Sequence, residues 1–183
     1  MPIRRVWFLC RVALLATASA TVVRAQQPAA EDQIIDTIRT LPQVGDGDRR
    51  RIQEWLDIQV GKVAGAPKEK RQDAAGVFRA SLKSQFDNQA DTPAFRSALR
   101  AQLAQSMATK VVDAKLDRWV GFALARTLVD FNGIESVPGF VAGLKSPEEL
   151  IRYLSADGLA GLNASLPADK EKFEQAVAAL RAA

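Results

Sequence analysis

Residues 123–162 read ALARTLVDFNGIESVPGFVAGLKSPEELIRYLSADGLAGL, and the fold turns on how this stretch is read. Its apolar residues return every three or four positions instead of every second one, which is the period of a helix with one buried face. Two breaks divide it, one between Gly133 and Pro138 and one at Ser146-Pro147. The run Ser146-Pro147-Glu148-Glu149 predicts a complete capping box, with serine at the cap, proline next and a glutamate three residues after the cap. It opens a helix that ends near Leu162. Gly121, Gly158 and Gly161 fall inside predicted helices. Each costs ~1 kcal/mol of helix propensity relative to alanine, and close approach of an adjacent helix is the expected compensation.

Upstream the same period continues. Ile34, Ile35, Ile38 and Leu41 form an apolar stripe ended by Pro42. A second helix is predicted from about Arg49 to Val63, with Ile52, Trp55, Leu56 and Val63 on one face, closed by Gly65 and Pro67. A third carries Ala74, Val77, Phe78, Leu82 and Phe86. Thr92-Pro93 supplies a cap followed by proline at the first helical position. Between Pro93 and Phe131 only Gly121 interrupts the pattern, so a tight turn is expected near Asp113. A last helix follows Pro167 and runs to about Ala182. Strand-type alternation is absent, and the expectation is an all-α domain of about eight helices.

The chain also repeats itself. Leu116-Asp117-Arg118-Trp119-Val120 aligns with Leu150-Ile151-Arg152-Tyr153-Leu154 at an offset of 34, and the match extends to Leu128 against Leu162. Residues 137–146 align with 173–182, and 78–86 with 95–103. A helix pair of this kind cannot bury its own apolar face, so neighbouring pairs must stack. Residues 113–183 resemble HEAT-type repeats, more weakly so over 67–112. Gly133, Val137-Pro138, Leu144-Lys145, Ser146-Pro147 and Arg152 occupy the places of the small-residue turn, the Val-Pro opening, the capped turn and the second-helix arginine. The resemblance implies a right-handed stack of antiparallel helix pairs, an α-solenoid whose surface binds partners, and it implies no chemistry.

Residues 1–25 are expected to be a cleaved signal peptide. They hold Arg4, Arg5, Arg11 and Arg24, no acidic residue, and an apolar run from Val12 to Val23. That run is shorter than the roughly 20 residues needed to cross a bilayer. Ala18-Ser19-Ala20 and Val23-Arg24-Ala25 both fit a small-x-small cleavage rule, and the second leaves a full apolar region. The expected address is periplasmic or secreted. Residues 26–183 then form one domain: N-terminal helices over 26–66, a degenerate helix pair over 67–112 and the repeats over 113–183. The formal charge of +4 comes from the four leader arginines; beyond residue 25 basic and acidic side chains balance. The chain has no histidine, and its single cysteine, Cys10, lies in the leader. A mature chain without either residue has no Ser-His-Asp or Cys-His nucleophile, no His/Cys zinc site and no disulfide.

The remaining motifs read as structure. Asp46-Gly47-Asp48 begins like a calcium loop, but Arg50 and Arg51 stand where an oxygen ligand and a glycine belong, so a turn and helix start is expected. Glu148-Glu149 are explained by the first turn of a helix. Arg49-Arg50-Arg51 and Lys68-Glu69-Lys70-Arg71 are solvated helix faces with acids interspersed, and no nucleic-acid partner is expected. Asn163-Ala164-Ser165 is a glycosylation sequon by pattern, expected to be silent. Trp119 and Tyr153 share a repeat position, each beside an arginine. Arg118, Trp119, Arg126, Arg152 and Tyr153 are therefore the candidate partner-binding face, since aromatic and arginine side chains dominate interface hot spots. The alternative is a structural stack in which the arginines brace neighbouring groups.

These features predict a non-enzymatic scaffold or adaptor that binds another protein, with no cofactor, no metal and no membrane span after cleavage. A homodimer is one way to cover the exposed ends of a short stack. The alternative function is a carrier or chaperone-like binder, with the phenylalanines at 78, 86, 95, 122, 131, 140 and 173 lining an apolar cavity.

Overall fold

A computed structural model describes residues 32–111, 113, 117–162 and 169–182. The segment expected to be a signal peptide, with its two candidate cleavage sites, and the Asn163 sequon lie outside the described residues. Eight helices follow one another: α1 (Gln33–Asp36), α2 (Asp46–Gly65), α3 (Arg71–Phe86), α4 (Pro93–Lys110), α5 (Arg118–Asp130), α6 (Val137–Gly143), α7 (Glu149–Gly161) and α8 (Lys170–Ala182), with single 3-10 turns before α3 and α6. No strand occurs among the described residues. The fold is all-α, as the periodicity predicts.

The helices pack in a regular order. α2 lies on α4, α4 on α6 and α6 on α8, while α3 lies on α5 and α5 on α7. Across these rows α2 meets α3, α4 meets α5 and α6 meets α7. One hydrophobic core runs from Ile35 to Ala176. In α2 the buried residues are Ile52, Trp55, Leu56, Gln59, Val60 and Val63, the stripe of a helix with one enclosed face. Each fully buried large side chain of this kind contributes roughly 1.5–3 kcal/mol relative to an exposed one. The N-terminal helices are part of the body. Trp55 Nε1 donates to Asp32 Oδ1 at 3.2 Å, and Thr92 joins the segment after α1 to the start of α4. Its backbone N–H donates to Arg39 O at 2.9 Å and its hydroxyl to Leu41 O at 2.8 Å. The same hydroxyl accepts the Phe95 N–H, which makes Thr92 the cap foreseen for α4.

The repeat register is followed by burial at the apolar positions, though buried Ala123 and Thr127 align with exposed Asp157 and Gly161. At the offset of 34, Val120 and Leu154, Gly121 and Ser155, Leu124 and Gly158, Ala125 and Leu159, and Leu128 and Leu162 are all buried. At the offset between α3 and α4, Phe78 matches Phe95, Leu82 matches Leu99 and Phe86 matches Leu103, again all buried. The match is poorer between α6 and α8, where buried Val137 and Leu144 correspond to exposed Phe173 and Leu180.

Close approach is real at Gly158, where an added Cβ would overlap the ring of Phe140. It is tighter still on α6, at two glycines the periodicity did not single out. A Cβ on Gly139 would stand 2.7 Å from Leu128 Cδ2 and 3.0 Å from the Ala104 backbone, and one on Gly143 would collide with Ser155 and Met107. Gly139 and Gly143 are one turn apart, so a single smooth face of α6 lets α4, α5 and α7 crowd against it.

Several local expectations are corrected. Ser146 does not cap α7: Glu148 is the cap residue and the helix begins at Glu149. The Ser146 hydroxyl instead accepts the Glu148 N–H at 3.3 Å in a tight turn, so the capping box is not formed. α2 starts at Asp46, three residues before Arg49, because Gly45 serves as its cap and Asp48 Oδ2 accepts the Gly45 N–H at 3.1 Å. Val77 is 67% exposed, and Ala75 takes its place in the core. Gly161 is exposed, in contrast to Gly158. The turn near Asp113 falls where expected, between α4 and α5.

Candidate partner-binding surface

The start of α5 is built around Asp117. Its side chain accepts the Trp119 N–H at 2.9 Å, capping the helix, and also pairs with Arg71 at the start of α3. Arg71 is fixed in turn by donating from Nε to Ala66 O at 3.0 Å. Further along, Arg79 Nε in the middle of α3 donates to Asp130 Oδ2 at the end of α5 at 2.9 Å. α3 and α5 are thus laced at two points along their length.

Trp119 is half-buried and meets Phe122 edge-on, with ring centroids 5.9 Å apart. The Arg118 guanidinium lies 5.4 Å above the indole, a cation–π placement that holds the arginine on the surface. A groove of about 350 Å³ opens here, lined by Arg118, Trp119, Phe122, Glu148, Leu150 and Ile151. Its floor is apolar and its rim carries one cation and one anion. A smaller depression, lined by Lys68, Arg71, Asp117, Arg118 and Trp119, adjoins it through the last two residues.

The five candidate residues do not form one ladder. Arg118 and Trp119 share the groove. Arg126, two turns further along α5, pairs with Asp130 at 3.3 Å. Arg152 is a brace, donating from Nη1 to the carbonyls of Ser146 and Pro147 at 2.9 Å each. Tyr153 stands 66% exposed on α7 and is not among the residues lining the Trp119 groove. The residues that complete the groove are Glu148 and Leu150. Leu150 is 52% exposed, and its alignment with Leu116 gives no sign that it faces outward.

A larger depression of about 470 Å³ lies between α3 and α5, lined by Gly76, Arg79, Ala80, Lys83, Asp130 and Phe131. Its cations are already engaged, Arg79 with Asp130 and Lys83 with Asp87. Beneath it Phe131 stacks on Phe86 with centroids 4.2 Å apart, and Arg100 covers the other face of the pair at 5.5 Å. This is a satisfied structural cluster and offers an apolar partner little. The two basic clusters of the sequence sit at opposite ends of α2, one in its first turns and one beyond its last, so they form no common patch. At 1.5 Å per residue that separation is about 25–30 Å.

Among the described residues no three His, Cys, Asp or Glu side chains come together as a metal site, and no helix is long and apolar enough to cross a membrane. The phenylalanines do not converge on a chamber: Phe78, Phe86, Phe95 and Phe140 are buried in the core, Phe173 is exposed, and none of the five principal grooves is lined by more than one phenylalanine. No protein family, curated protein or solved structure matches the chain.

Proposed function

We propose that this chain is an exported, non-enzymatic helical-repeat protein of the periplasm or cell exterior, working as a protein–protein scaffold or adaptor. Its helix pairs are read as HEAT-like units stacked into a right-handed solenoid. The alternating order of helix packing and the burial register at the offset of 34 support that reading. The observation that carries the function is the groove of Trp119, Phe122, Leu150 and Ile151. It is a concave apolar strip with an aromatic anchor and a charged rim, the anatomy of a binding surface more than of a reaction centre. The dispersal of the phenylalanines favours a scaffold over a carrier, which needs one apolar chamber.

The test is capture of the tagged chain from detergent-treated cell-envelope extract, followed by mass spectrometry. A stoichiometric protein partner is expected, and it should be lost on Trp119→Ala while the far-ultraviolet helical signal is retained. Recovery of no protein, or of one indifferent to Trp119→Ala, overturns the reading.

A further inference from the structure

Charge is distributed across the Trp119 groove with a definite polarity. Arg118, at the start of α5, lines it from one wall and Glu148, just before α7, from the other, with Lys68 in the depression that adjoins it through Arg118 and Trp119. Lys68, Arg118 and Glu148 are all exposed, and none has an ion-pair partner among the described residues. This distinguishes them from Arg71, Arg79, Lys83, Arg100 and Arg126, each of which has an acid to meet. The rest of the groove lining is the apolar strip of Trp119 and Phe122 from α5 and Leu150 and Ile151 from α7, with Leu150 half in solvent.

A surface that is cationic on one side, apolar in the middle and anionic on the other matches itself after rotation by 180° about an axis through its centre. That is the condition for a two-fold, isologous contact, in which residue i of one copy meets residue j of the other and j meets i. We infer that the occupant of this groove is a second copy of the chain. Arg118 of each copy faces Glu148 of the other, and the two Leu150 side chains enter the facing grooves between Trp119 and Ile151. This inference rests on the scaffold reading above and names the partner of the same surface. The apolar centre supplies the attraction, and the two crossed ion pairs fix orientation and exclude other pairings.

Sedimentation velocity of the full chain, purified as the cell processes it, tests this through a charge exchange. A dimer is expected at micromolar concentration. Arg118→Glu alone brings four carboxylates together across the axis and should raise the dissociation constant more than about tenfold, as should Glu148→Arg alone, because like charges in contact cost kilocalories. Mixing the two variants in equal amounts should restore a dimer to within about threefold of the unaltered affinity, since each crossed pair is then opposite in sign again. Both substitutions are at exposed positions, and circular dichroism of each variant checks that the fold is kept. A dimer insensitive to either substitution, or one that mixing fails to restore, overturns the inference. A chain that is monomeric, yet captures a different protein through Trp119, overturns the second copy and leaves the scaffold. A monomer that captures nothing removes both.

Discussion

Gly158 in α7 faces the ring of Phe140 in α6 so closely that no side chain fits between them. Both residues are buried, and Asn132 Nδ2 donates to the Gly158 carbonyl at 2.6 Å, which pins the contact from the α5 side. The glycine is there for space. Its backbone angle is an ordinary helical one, and no described glycine has a positive φ.

Enlarging Gly158 should therefore cost stability. Gly158→Ala must displace an aromatic ring in a packed core, and overpacking of this kind costs about 1–3 kcal/mol, with Gly158→Leu worse. Thermal unfolding followed by circular dichroism checks it; an unchanged Tm for Gly158→Leu would show that α6 and α7 do not approach as described.

Gly61 supplies the opposite case. It lies within α2 and an added Cβ would meet nothing within 4 Å. Gly61→Ala should raise stability by about 0.5–1 kcal/mol through helix propensity alone, readable as a shift of the urea midpoint without change of slope.

Asp117 performs two tasks that substitution can separate. Asp117→Asn keeps an oxygen to accept the Trp119 N–H but weakens the link to Arg71, and for a partly exposed pair the expected loss is under about 1 kcal/mol. Asp117→Ala removes the cap as well, for a total of about 1–2 kcal/mol. Equal losses in the two variants would mean that the helix start is held by charge alone.

Asp91 gives a pH signature. Its side chain is fully enclosed, neither carboxylate oxygen accepts a hydrogen bond, and Arg39 Nε stands 3.6 Å away. Burial pushes the carboxyl above its ordinary value of 3.8, opposed by the charges of Arg39 and Arg96 and assisted by Asp36. The folded chain then holds a proton that the unfolded chain has released. Stability from this group is greatest below 3.8, falls as pH rises through the raised folded value, and stays low above it. Asp169 acts in the other sense below 3.8, where its carboxylate, bonded by the Lys172 N–H, loses its contribution as it protonates. As pH rises above 3.8 the wild-type chain should lose stability that Asp91→Asn does not lose, measured as unfolding free energy in urea at each pH. Parallel profiles for the two chains would show that Asp91 is solvated in the folded protein.

Much of this architecture was legible because it depends on period and punctuation. The buried stripe of α2, the Thr92 cap and the break between α4 and α5 all follow from local rules acting on local sequence. Features set by the neighbour of a helix were harder to read. Val77 belongs to the same broad apolar arc as Phe78, but α5 covers the flank of α3 that carries Ala75, and only the packing decides which flank is chosen. Ser146-Pro147-Glu148-Glu149 satisfies every local requirement of a capping box, yet Arg152 binds the carbonyls of Ser146 and Pro147 and the helix begins two residues later. At the surface, Arg118 and Trp119 were recognisable as residue types. Glu148 and Leu150 join them only because α7 lies beside α5, which no spacing along the chain reveals.

Almost every interface here joins helices one or two places apart in the chain, and the contact of α2 with α5 reaches only one further. α8 is lightly held, with Ala176 its one buried residue. A body whose contacts are this local finds its native pairings over short stretches of chain, so refolding from urea should be fast, because no strand must find a distant mate.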